Sequence, residues 1–443
     1  MKDEATIILA KNTINTKIME MVMRMTYVLS IAIALFLVTL GRAAASSFEC
    51  YLECLSNHPR IMSILSTSKS SQFQAKGELG LPDPVFSFGV DNVPISDPAF
   101  DRFLPTSKII GFNQKIPNPI LLRAKSNKFK QLSEKQILMA DYMYQRLKFM
   151  LITKLAEYQS IKTQQELIKK QLKLYKDLEK TFNGKIKSGR AIYQRFSEID
   201  VERAEAERNL NNLEASLISI EAEFINLIDE IPTIYTQDIT DQTWDKNPNK
   251  LYPVLIAKQD VDIAMKAIDI ANAAFLPNFG INVVYKQREN GKNKSFSGDD
   301  WFSVQAQITM PLWASSNQKP KLKAALEKKN SAEFEFDNTR RSWIQKMKSL
   351  QSTRDASSKN ILILQDKDHA MRSKIDAAQR NYEAGTTDLD VVLLARIDRF
   401  NIQAQLIKVK SQHTSNAAEF NSNIFAGSYT AHSATRDRKK KND

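Results

Sequence analysis

The chain has 443 residues, a formal net charge of +13, 42% hydrophobic and 26% charged residues. Two cysteines exclude a disulfide scaffold, four histidines argue against a multi-histidine metal enzyme, and twelve glycines are too few for a loop-rich all-β protein. Length alone allows about two or three domains, and the apolar content is too low for a polytopic helical membrane protein.

Residues 26–40 form an apolar core, preceded by Arg24 and followed by Ala43, Ala44 and Ala45. A positive flank, such a core and small residues make residues 1–45 a secretory signal peptide, with Ser46 as the mature start. A membrane anchor is the competing reading, although about 15 apolar residues are short for one. Met19, Met21, Met23 and Met25 offer later starts. Ser47, Phe48 and Glu49 lack the small residues that would make Cys50 a lipidation site. The mature chain is expected in a bacterial envelope.

Five landmarks then recur in one order at an offset near 195 residues, the mark of an internal repeat. A helical stretch opens at Asn57-His58-Pro59 and closes at Gly80-Leu81-Pro82; another opens at Leu251-Tyr252-Pro253 and closes at Phe275-Leu276-Pro277. Two strand-like runs follow each, ending at Ile116-Pro117 and Met310-Pro311. A long helical segment, a glycine (Gly189, Gly385) and a final helix complete each half. The first repeat spans 46–249 with a β-hairpin at about 85–116. The second spans 250–425 with a hairpin at about 279–313. Residues 426–443 form a basic tail expected to be disordered.

The clearest strand is Trp301–Trp313, where Phe302, Val304, Ala306, Ile308, Met310 and Leu312 alternate with Ser303, Gln305, Gln307 and Thr309. Period-two patterning of about ten residues with Trp301 and Trp313 as an aromatic edge fits a transmembrane β-strand. A half-buried soluble hairpin is the other reading of each strand alone. A chain offering about four strands falls short of the roughly eight that close a barrel, and open edges have no water to satisfy them in lipid. A barrel shared by three copies, with about twelve strands, closes it under cyclic symmetry.

Pro119–Phe182 and Pro320–Tyr382 are nearly unbroken helical stretches of roughly 95 Å each. The helix after Gly189 and the one before Leu276 sum to a similar length. Laid end to end, they would stack beside a long helix, linked by Pro232 and Thr236–Asn249. Leu167, Leu172, Leu174 and Leu178 keep helical spacing among many polar residues. That pattern suits a long coiled coil, or a wall of helices facing water on two sides.

Taken together, the mature chain from about Leu52 to about Phe425 resembles the outer-membrane efflux protein (TolC) family. The pieces that carry the likeness are Asn57-His58-Pro59, Gly80-Leu81-Pro82-Asp83-Pro84, Phe275-Leu276-Pro277, and Tyr382-x-x-Gly385 followed by Leu389-Asp390-Val391-Val392. The stretch Leu81–Pro94 also looks like the heavy-metal branch, which serves pumps for copper, cobalt, zinc and cadmium. The resemblance implies a mainly α fold with a membrane β-barrel: a homotrimer with a shared 12-stranded barrel and a periplasmic α-barrel. It implies a passive exit duct that meets a periplasmic adaptor and, through it, an inner-membrane resistance–nodulation–division pump. Drug efflux and type I secretion are alternatives for the cargo. A periplasmic adaptor or a coiled-coil structural protein is the alternative of another class.

Gly189, Arg190, Gly385, Thr386 and Thr387 are the expected adaptor-docking tips, because glycine accepts the positive φ of a tight helix-to-helix turn. Arg195, Tyr382, Asp388 and Asp390 are the candidate gate. Val391 and Leu394 stand where the family's acidic pair would be, so the gate would rest on an Arg195–Asp390 link instead. Solvated surface charges are the plainer reading of that pair. Cys50, Cys54 and His58 recur at i, i+4 and i+8 and would share one helix face. They suit Zn²⁺ or Cu⁺ in type, yet three ligands on one helix do not easily surround an ion, so no metal site is expected. Buried thiols or a disulfide are the alternatives. No phosphate loop, nucleophile set or HExxH-type motif occurs, so neither an enzyme nor a cofactor is expected. Nucleic acid is not an expected partner of an exported protein; outer-membrane lipid is.

Overall fold

The computed structural model describes residues 48–96, 98–188, 193–233, 239–425 and 427. The signal peptide, Gly189, Arg190 and the basic tail from 428 onward lie outside the described residues. Among those described, no helix is long and apolar enough to cross a membrane.

A short helix α1 (48–56) leads into α2 (Pro59–Gly77), strands β1 (Val85–Asp91) and β2 (Ser107–Ile116), the long helix α3 (Pro119–Lys187) and α4 (Tyr193–Ile228). The order repeats as α5 (Tyr252–Ala273), β3 (Asn278–Gln287), β4 (Trp301–Thr309), α6 (Gln318–Glu383) and α7 (Leu389–Ser422). α3 has 69 residues and α6 has 66, so each spans roughly 100 Å. Asn118 starts α3 by accepting hydrogen bonds from the Ile120 and Leu121 amides, with Pro119 in the first turn.

The strands form one antiparallel sheet in the order β1-β2-β3-β4. Its register pairs Phe86 with Phe112, Phe112 with Val283, and Val283 with Val304. Cross-strand partners share a face, so the apolar sets of all four strands merge into one continuous apolar surface. Phe86, Phe88, Ile110, Phe279, Phe302 and Val304 on it are all exposed. The other face carries Ser87, Asn113, Asn282, Ser303 and Gln305. Within one chain the sheet stays open, with β1 and β4 as its edges.

Two strand expectations are corrected. β4 ends at Thr309, because Pro311 has no amide to continue the ladder. Trp313 lies beyond the strand, 72% exposed, in the turn into α6. Trp301 does open β4, but opposite Lys286 on the polar face, and the Arg288 guanidinium lies 4.1 Å from its ring centroid. It is a cation–π partner rather than part of an aromatic rim on the apolar face.

The helices lie side by side. α3 packs between α2 and α4 on one side and α5 and α7 on the other, and α6 packs against α5 and α7. The stacked pairs differ from expectation. α4 meets α1 and α2, where Tyr51, Leu55 and Ile61 pack with Phe224, Leu227 and Ile228. α5 meets α7, where the Tyr252 amide donates to the Asn423 carbonyl (3.0 Å) and the Phe425 amide to the Lys250 carbonyl (2.8 Å). The segment after α4 therefore crosses to the second half instead of continuing one helix line. Arg354 holds it, donating to the Gln242 carbonyl (2.8 Å) with its guanidinium over Phe420.

Candidate functional site

The end of α3, the start of α4 and the turn from α6 to α7 lie together at the end of the helical wall away from the sheet. The turn from α6 to α7 is a Schellman motif. Gly385 has φ +73°, its amide donates to the Tyr382 carbonyl (2.9 Å), and the Thr386 amide donates to the Asn381 carbonyl (2.9 Å). The Thr386 hydroxyl also donates to that carbonyl. Tyr382, Gly385 and Thr386 are exposed. The Thr387 hydroxyl is buried without a hydrogen-bond partner.

Beside this turn the structure gathers four charges from three helices. Lys185, in the last turn of α3, reaches Asp388 (2.8 Å) and Asp390 (2.9 Å). Arg195, near the start of α4, reaches the other oxygen of Asp390 (3.3 Å). The Asp390 side chain is only 7% exposed and Lys185 17%, whereas Arg195 is 57% exposed. Asp388 and Asp390 stand at the N-terminus of α7, and Lys185 at the C-terminus of α3, so each sign suits its helix dipole. Burial disfavours the Lys185 ammonium, but hydrogen bonds to Asp388 and Asp390 outweigh that and hold its pKa above the usual lysine value.

Solvated surface charge is therefore not what Asp390 is, and the Arg195–Asp390 link is present. Lys185 is the residue that sequence reasoning missed. Its signal was its place four residues before Gly189, at the same turn as Asp390. Tyr382 contributes its carbonyl to the glycine turn rather than joining the charges.

A second polar line crosses the wall about three helical turns away. Tyr175 donates to Glu202 (3.1 Å), and the Gln171 amide donates to Tyr175 (3.2 Å) and to Asn401 (3.4 Å). Burial, followed by the Glu202 charge, pushes the Tyr175 pKa up to about 12. Next to Asn401, Arg399 donates to buried Asp368 (2.9 Å), which Arg372 also meets (3.0 Å). Burial pushes the Asp368 carboxyl up, but Arg399 and then Arg372 outweigh it and hold the carboxyl below its ordinary value.

Cys50, Cys54 and His58 do not form one face. α1 stops before Pro59, which confines His58 to an extended backbone (φ −58°, ψ 137°). His58 caps α2, its Nδ1 accepting from the Arg60 amide (3.2 Å). Burial and then Arg60 lower its pKa. Both cysteines are exposed free thiols. Partial burial and then the neighbouring Cys50 raise the Cys54 thiol. Among the described residues no group of three or more His, Cys, Asp or Glu is placed to hold a metal ion.

Residues 254–422, which take in α5–α7 and the β3–β4 hairpin, match the family described as outer membrane efflux protein. Over these residues the chain is similar to that family.

The fold carries the likeness over the first half as well. The VceC outer membrane protein of Vibrio cholerae is 16% identical with a TM-score of 0.67, over 86% of this chain and 97% of that one. The CmeC outer membrane channel of Campylobacter jejuni is 10% identical with a TM-score of 0.70, over 88% of each chain. CusC, described for its transmembrane channel formation, is 11% identical with a TM-score of 0.69, over 84% of this chain and 90% of that one. At these identities the likeness is one of fold. No curated protein sequence matches the chain. An outer membrane efflux protein is a transport protein and not an enzyme. Such a protein resides in the outer membrane and has a periplasmic portion.

Proposed function

We propose that three copies of the chain close one 12-stranded barrel and one helical tunnel, forming the passive outer-membrane duct of a tripartite efflux system. The observation that supports this most is the open sheet. It has two unpaired edges and one continuous apolar face, and in lipid only a closed barrel satisfies such edges. The polar face then lines a wet lumen.

The glycine turn at Gly385–Thr387, together with Gly189 and Arg190, docks a periplasmic adaptor that connects to an inner-membrane pump. The Lys185–Asp388–Asp390–Arg195 cluster holds the tip closed. The cargo is heavy-metal cations, a reading supported by the sequence of Leu81–Pro94. Deleting the gene and measuring growth on copper, zinc, cobalt and cadmium, beside dyes and antibiotics, tests it. Metal sensitivity restored by the intact gene is the expected result. Sensitivity to dyes and drugs alone would move the cargo to drugs, and no change would favour secretion.

A further inference from the structure

Both cysteines of the chain lie on α1, one helical turn apart. Tyr51 and Leu55 of the same helix are buried against Phe224, Leu227 and Ile228 of α4. The Thr233 amide also donates to the Tyr51 hydroxyl (3.0 Å). α1 is therefore fixed on its inner side, and Cys50 and Cys54 stand on its open side as exposed free thiols. Cys50 lies within hydrogen-bond reach of the Cys54 thiol. The duct, the tip and the gate leave this pair unused.

Helix geometry decides what the pair can hold. Residues four apart set their Cβ atoms about 5–6 Å apart, whereas a disulfide needs about 3.5–4.5 Å. Closing that bond would unwind α1 and draw Tyr51 and Leu55 out of the core. A soft cation held in line between two thiolates asks for a wider span. With metal–sulfur bonds of about 2.3 Å, the two sulfur atoms sit about 4.6 Å apart. Such an ion needs two ligands only, so the absence of His58 from this face does not matter. Among the described residues no third His, Asp or Glu is placed to join the pair. Zn²⁺, which takes four donors, is poorly served by it.

Charge selects among the soft cations. Burial raises the Cys54 thiol, and Cys50, Glu230 and Asp229 raise it further. Asp229 and Glu230 directly follow α4 and are exposed. A monovalent ion between two thiolates would leave one net negative charge beside these carboxylates. A divalent ion leaves none.

We propose that Cys50 and Cys54 form a two-coordinate site for a divalent thiophilic cation of the mercuric class, closed across one turn of α1. Thiolates are the ligands such soft ions select. Two S–H bonds give way to two metal–sulfur bonds, two protons pass to solvent, and neither sulfur changes oxidation state. The site does not depend on the cargo or trimer readings, and each can fail without the other.

The test is intact-mass spectrometry of the detergent-purified full chain, loaded with equimolar Hg²⁺ and challenged with millimolar glutathione. The native chain should carry a single mercury and no glutathione. Cys50→Ser and Cys54→Ser should each carry mercury capped by a glutathione, and should lose the metal to competing thiol about a hundredfold more readily. Cys54→Ser with Ser56→Cys keeps two thiols but moves one off the shared face, so it should carry glutathione too. Glutathione on the native chain, a second mercury, or equal retention by the displaced pair would show the thiols acting singly and overturn the site. Ag⁺ retained against glutathione as well as Hg²⁺ would overturn the choice of a divalent ion.

Oxidation is the second readout. Glutathione disulfide should cap Cys50 and Cys54 separately. An internal disulfide, read as the loss of two hydrogens with no cap, would overturn the spacing on which the site rests.

Discussion

Lys185 and Asp390 lie 2.9 Å apart although 205 residues separate them in the chain. The contact joins the end of the first long helix to the start of the last one, and so ties the two halves at their shared tip. Removing Lys185 would leave Asp390 buried beside Arg195 alone. A buried charge that loses its partner costs several kcal/mol, discounted here because Arg195 remains and Asp388 is half exposed.

Asp390→Ala should therefore raise single-channel conductance, since Arg195 loses its carboxylate partner in the cluster while Lys185 keeps Asp388. Lys185→Ala should raise conductance too and cost about 2 kcal/mol of stability. Planar-bilayer recording and thermal unfolding measure the two effects. Conductance unchanged in both variants would remove the gate from the account.

Gly385→Ala places a side chain at φ +73°, where space is free but the backbone conformation is unfavourable. The expected cost is about 1–2 kcal/mol, and Gly385→Asn should cost less. Circular-dichroism melting of both variants checks the order. If alanine costs no more than asparagine, the left-handed turn is not what the glycine provides.

Asp368 should make the wall acid-sensitive. Its folded pKa lies below the unfolded value, so its contribution is complete above the ordinary carboxylate range and is lost as pH falls through the folded pKa. Melting temperature followed from pH 7 down to about 3 should fall less steeply in Asp368→Asn than in the native chain. Parallel curves would mean that other carboxylates govern acid unfolding.

Arg288 ties the two strand-connecting segments together at the far end of the sheet. It donates to the carbonyls of Leu104 (2.9 Å) and Asp299 (3.1 Å) while lying over Trp301. Lysine lacks the fork that makes such contacts at once. Limited proteolysis within 92–106 and 288–300 should speed up in Arg288→Ala, and nearly as much in Arg288→Lys. Full protection by lysine would mean that charge alone suffices.

Most of the architecture was legible because its signals are local. Prolines at Pro59, Pro119 and Pro253 start helices, period-two patterning marks Phe86–Val90 and Phe302–Ile308, and Gly385 turns the chain. Pairwise outcomes were not legible. Which short helix stacks on which depends on where Tyr252 and Asn423 meet, and neither residue carries that in its own neighbourhood. Trp301 read as a strand edge because aromatics do mark membrane interfaces, but its odd place in the alternation put it with Ser303 and Lys286. The outcome at Cys50, Cys54 and His58 turned on Pro59, which ended the helix assumed to align them. Of the tip charges, Arg195, Asp388 and Asp390 were found from the glycine turns. Lys185 was one of many lysines on α3 until the fold placed it.

A pore should exist only between copies, because among the described residues one chain offers four strands with two open edges. Planar-bilayer recording of the purified protein, on a sample shown by native mass spectrometry to contain three chains, tests it most directly. Discrete, reproducible conductance steps from the trimer and none from the monomer are predicted. A trimer that never conducts, or a monomer that does, would contradict the account.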